Sequence, residues 1–174
     1  MVKRYVFYAI FSFMLFSLLS PAVASVRKIP SFQLYTLKGE EILFRPATPS
    51  LLFFLTPECF SCLTDLFNLL KNLEDSKEKV PLYVVCLRCD FRDARNVEES
   101  LGGRFTVYLA RPELPALLGV WETPAVFLVN EERRVLYQEK GKISWEALRS
   151  SLPSGARDRS SRENQTTCVL GLCS

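Results

Sequence analysis

Residues 50–62 read SLLFFLTPECFSC. The run from Ser50 to Leu55 is continuous apolar sequence closed by Thr56-Pro57, which is the pattern of a strand buried on both faces of a sheet. Thr56 can cap a helix with Pro57 at its first position, and Leu63, Leu66, Phe67, Leu70 and Leu73 then recur at helical spacing on one face. Cys59 and Cys62 therefore fall where a strand gives way to a helix. The first cysteine of such a pair sits at the positive end of the helix dipole, which favours its thiolate, and the second lies within disulfide reach one turn on. Cys59 is thus the candidate attacking sulfur, and Cys62 the candidate that resolves the mixed disulfide.

Downstream, residues 81–87 read as a second buried strand, 93–101 as a short helix stopped by Gly102-Gly103, and 105–110 as a further strand. This βαβ order predicts that the central strands are parallel. Residues 112–118 give one or two helical turns. Thr123-Pro124 then introduces a strand at 125–129, paired with 135–140 across a polar turn, and 144–152 closes as a helix. Upstream, Phe32, Leu34 and Leu37 alternate with polar neighbours before a Lys38-Gly39 turn and a strand at 41–44, the signature of an N-terminal hairpin.

At the start, Lys3 and Arg4 precede an uncharged apolar run over residues 5–19, followed by Pro21 and the small-residue pattern Ala22-Val23-Ala24. That layout is a secretory signal peptide cleaved after Ala24, with an uncleaved membrane anchor as the competing reading. Both place the rest of the chain outside the cytoplasm, in the periplasm or an equivalent extracytoplasmic space, facing an oxidising or quinone-linked redox environment. The expected organisation is a targeting segment over 1–24, one α/β domain over 25–152, and a flexible Ser/Arg-rich tail over 153–174.

Composition narrows the chemistry. The chain has 174 residues, 48% of them hydrophobic, and a net charge of only +3. That suits one core, and without a long basic run nothing calls for a nucleic-acid partner. Histidine is absent, which excludes His-based triads, His general bases and imidazole-ligated metal centres. The six cysteines instead form three close pairs: Cys59 with Cys62, Cys86 with Cys89, and Cys168 with Cys173. A dithiol reading needs neither cofactor nor metal.

From 31 to 152 the chain resembles the TlpA/ResA branch of thioredoxin-like proteins, on the stretches LLFFLTPECFSC at 51–62 and GVWETPAVFLVNEERRVLYQEKG at 119–141. The resemblance implies a thioredoxin fold, a central mixed β-sheet flanked by helices, and membrane-anchored or periplasmic thiol-disulfide oxidoreductase activity. It further implies that Pro124 is cis and faces the CxxC, with Thr123 offering backbone hydrogen bonds to a substrate peptide. Client proteins with thiols or disulfides and a transmembrane electron carrier are the partners it implies. Three features depart from the pattern. Glu58 replaces the usual tryptophan, the dipeptide between the cysteines is Phe60-Ser61, and the turn after Asn130 lacks the usual glycine.

For the remaining cysteines two readings stand side by side. Cys86 ends a buried strand and Cys89 follows in the loop, either as a small core residue and an incidental thiol or as a secondary redox pair; strand alternation points i and i+3 to opposite faces and disfavours a bridge between them. Cys168 and Cys173 form either a local disulfide or a tethered shuttle. Competing functions are a thiol peroxidase, since Thr56 to Cys59 matches TxxC, and a copper(I) carrier or holdase; a four-cysteine zinc site is the alternative structural use. Trp121 and Trp145 read as core or edge aromatics. Electrostatically, Phe60, Glu58 and Glu122 would raise the Cys59 thiol pKa and Arg88 would oppose them, which favours a reductant.

Overall fold

The computed structural model describes residues 27–76 and 79–153. The expectations for residues 1–24 and for the Cys168/Cys173 tail lie outside the described residues. Among those described, no helix is long and apolar enough to cross a membrane.

Seven strands form one mixed sheet in the order β2-β1-β5-β4-β3-β6-β7. In chain order these are β1 (Gln33–Tyr35), β2 (Glu41–Leu43), β3 (Ser50–Leu55), β4 (Leu82–Cys86), β5 (Val107–Ala110), β6 (Ala125–Val129) and β7 (Val135–Lys140). Among the described residues four helices accompany them: α1 (Cys62–Ser76), α2 (Phe91–Ser100), α3 (Leu114–Leu118) and α4 (Trp145–Ser151). As the βαβ order requires, β3, β4 and β5 are parallel, with Leu55 opposite Cys86 and Cys86 opposite Leu109. β6 runs antiparallel to β3, and β7 antiparallel to β6. The predicted hairpin is present, and β1 pairs with β5 at the far side of the sheet.

The continuous apolar run of β3 is explained by its place, since every residue from Ser50 to Leu55 is buried. Alternate residues feed two cores. Leu51, Phe53 and Leu55 face Leu66, Leu69, Leu70 and Leu73 of α1, Ala94 of α2 and Leu148 of α4. Leu52 and Phe54 face the opposite side with Phe127, Ile29, Phe32, Phe44, Leu114 and Leu118. Phe54 and Phe127 meet edge to face there, with centroids 5.4 Å apart.

α1 begins at Cys62, later than Thr56-Pro57 implied. The preceding residues form turns instead: the Cys59 N–H donates to the Thr56 carbonyl at 3.1 Å, and the Cys62 N–H to the Cys59 carbonyl at 3.3 Å. The buried stripe is therefore Cys62, Leu66, Leu69, Leu70 and Leu73, and Phe67 lies one position around the helix, exposed. α2 has a capping box in which the Asp90 carboxylate accepts from the Asp93 N–H at 2.8 Å and the Asp93 carboxylate from the Asp90 N–H at 3.2 Å.

Candidate active site

Because β3 and β4 are neighbouring parallel strands, the loops leaving their C-terminal ends open on the same edge of the sheet. The β3 loop carries Cys59 and Cys62, closed as a disulfide with Cα atoms 5.4 Å apart. Cys62 is 1% exposed and packs among the α1 leucines, whereas Cys59 is half-buried at the rim. An outer and an inner sulfur are thus set by the turn before α1. The Ser61 hydroxyl lies 3.9 Å from Cys59 Sγ.

The Thr123–Pro124 bond is cis. Pro124 is buried, and the Thr123 hydroxyl shares a hydrogen bond of 3.2 Å with that of Thr56, joining the proline loop to the cysteine loop across 67 positions of sequence. Thr56 therefore serves as a tie across the site rather than as a helix cap. In the sequence its capping pattern and its place three residues before Cys59 marked it, but not this tie. Thr56, Glu58, Cys59, Phe60, Ser61, Arg88 and Thr123 line an open concavity of about 610 Å³. A second hollow of about 220 Å³ shares Thr56, Arg88 and Thr123 and continues past Leu87 and Val120 to Trp121.

Several sequence expectations need correction here. Trp121 is 75% exposed and lines that second hollow, so it is neither core nor an edge filler; Trp145 is half-buried against the α1-side core. Phe60 is 98% exposed, so it cannot desolvate Cys59. Glu122 does not line the cysteine concavity: its Oε1 stands over Gly141, 2.9 Å from where a Cβ there would lie. Glu58 and Arg88 do share the concavity with Cys59.

The largest departure concerns Cys86 and Cys89, which are bridged, with Cα atoms 5.6 Å apart. Alternation along a strand fails to forbid this bridge because the strand ends at Cys86. Arg88 adopts φ 56°, left-handed for a non-glycine residue, and turns the chain so that Cys89 comes back toward Cys86. Leu87, just past the strand, is still tied to β3, its N–H donating to the Leu55 carbonyl at 2.8 Å. All four cysteines of these two pairs contact one core: Cys62 and Cys86 buried in it, Cys59 and Cys89 half-buried against it.

No family model matches the chain, and no curated protein matches it in sequence. Solved structures do match. A thio-disulfide isomerase from Thermus thermophilus is similar at 27% identity with a TM-score of 0.60, over 75% of this chain and 95% of that one. The thioredoxin domain of a thiol-disulfide oxidoreductase from Bacteroides vulgatus matches at 17% identity and TM-score 0.61, over 76% of this chain and all of the other. A secreted disulfide oxidoreductase of Mycobacterium tuberculosis matches at 19% and 0.56, over 69% and 92%. The architecture is the thioredoxin fold. With a CxxC disulfide at the rim of its parallel strands and a cis-proline loop tied to it, fold and site together define a thioredoxin-like thiol-disulfide oxidoreductase.

Proposed function

We propose that this is an exported, TlpA/ResA-type oxidoreductase that reduces disulfides in client proteins outside the cytoplasm. The observation that carries the reading is the asymmetry of the pair, Cys59 half-buried at an open concavity and Cys62 buried behind it. The Cys59 thiolate attacks one sulfur of a client disulfide, forming a mixed disulfide and releasing the other client sulfur. Cys62 then attacks Cys59, closing the Cys59–Cys62 bond and freeing the reduced client, so two electrons pass to the client. Thr123 and Pro124 form the wall along which the client backbone lies, while Glu58 and Arg88 set the charge around the attacking sulfur. A dithiol donor, such as a transmembrane electron carrier, resets the pair. The signal-like segment over 1–24 and the resemblance over 31–152 support the location.

Substitution at each sulfur tests the assignment. Cys62→Ala leaves the mixed disulfide unresolved and should accumulate client adducts on Cys59, seen as bands that vanish with reductant. Cys59→Ser should accumulate none. Equal trapping by both variants would reverse the roles.

A further inference from the structure

The loops after β3 and β4 each carry a CxxC. The first pair ends on the first residue of α1 and the second begins on the last residue of β4, and each sets one sulfur inside the shared core and one half-buried against it, the inner sulfur being Cys62 in the first pair and Cys86 in the second. Leu55 stands opposite Cys86 across the sheet, and both strands send these side chains to the α1 face, where Cys62 also packs. Arg88, between the cysteines of the second pair, lines the concavity that holds Cys59. We propose that Cys86–Cys89 is a second redox centre that exchanges directly with Cys59–Cys62, so that one domain stores two pairs of electrons. The proposal rests on the function given above.

With the first pair oxidised by a client and the second reduced, the Cys89 thiolate attacks Cys59 Sγ; the Cys59–Cys62 bond breaks and Cys62 leaves as a thiolate. Cys86 then attacks Cys89, closing Cys86–Cys89 and releasing Cys59. Two electrons move from the second pair to the first, and the two protons given up by Cys86 and Cys89 are matched by two taken up at Cys59 and Cys62. An external dithiol donor re-reduces the second pair. Cys89 is the attacking sulfur because it is the half-buried one, with Arg88 its neighbour in the chain and the N-terminus of the ten-residue α2 just beyond. Asp90 opposes this, but its carboxylate is engaged by the Asp93 N–H at 2.8 Å.

The test uses the full chain carrying Cys168→Ser and Cys173→Ser, fully reduced, mixed with one equivalent of a disulfide-bonded peptide. Samples are quenched by alkylation over time and mapped by mass spectrometry. The disulfide should arise first at Cys59–Cys62 and then partition to Cys86–Cys89. In a Cys59→Ser variant, Cys86–Cys89 should form at least tenfold more slowly. Equal rates with and without Cys59, or a second pair that stays fully oxidised under dithiothreitol sufficient to open the first, would overturn the relay while leaving the proposed function intact. Failure of the peptide to oxidise Cys59–Cys62 would defeat both.

Discussion

Arg133 and Arg88 each occupy a left-handed backbone conformation, at φ 63° and 56°, where glycine is the usual occupant. Arg133 explains the glycine missing after Asn130: the turn keeps its shape, with the Arg133 N–H donating to the Asn130 carbonyl at 2.9 Å and the Asn130 side chain accepting from the N–H groups of Glu132 and Arg134. A residue with a Cβ costs about 1–2 kcal/mol in this region, and glycine's extra chain entropy returns roughly 0.5–1 of that. Arg133→Gly should therefore stabilise the domain by about 0.5–1 kcal/mol, read from the midpoint of urea unfolding; a loss would mean that the side chain contributes more than the backbone strain. Neither position was legible in the sequence, because a single left-handed residue leaves no periodic trace. Cys59, Cys62 and Pro124 were legible, since strand, CxxC and X-Pro signals are all local. The Thr56–Thr123 tie was not, as it joins residues that only the sheet brings together.

At the scale of elements, β3 and β6 were readable to the residue because full burial on both faces imposes an unbroken apolar run. The start of α1 was misplaced because Thr-Pro carries a helix-start signal that here serves a turn. The pairing of β1 with β5 was hidden, as a three-residue strand carries almost no pattern. The joint between β7 and α4 has a titrating component. Tyr137 donates its hydroxyl proton to the Glu139 carboxylate, which also accepts from the Ser144 N–H at 2.6 Å at the start of α4. Burial, and then the hydrogen bond to Glu139, push the Tyr137 pKa well above its ordinary 10.0. A folded-state pKa raised above the unfolded one gives stability that is complete below pH 10 and lost as pH climbs beyond it toward the folded value. The melting temperature should thus fall above pH 10, and Tyr137→Phe should flatten that fall. An unchanged slope in the variant would place the alkaline transition elsewhere.

For the whole molecule, the balance around Cys59 sets the direction of electron flow. With Phe60 exposed and Glu122 turned to Gly141, two of the influences read from sequence drop out. Half-burial of Cys59 against the apolar core and the neighbouring Glu58 remain, facing Arg88 across the concavity. Partial burial and a neighbouring negative charge both disfavour a charged sulfur and with it the reduced form, so the midpoint potential of this pair should lie nearer thioredoxin's roughly −270 mV than DsbA's roughly −120 mV. Equilibration in glutathione or dithiothreitol buffers measures it, and a value above about −170 mV would indicate an oxidase or isomerase. The hydrogen bond from the Leu87 N–H to the Leu55 carbonyl, between the two disulfide loops, turns a single amide into an internal clock. That proton trades for deuterium only when the end of the sheet opens, whereas the Phe53 amide, deep in β3, waits for much larger unfolding. Reduction of both pairs should quicken Leu87 and leave Phe53 slow, so the labelling of one residue records whether the disulfides beside it are closed.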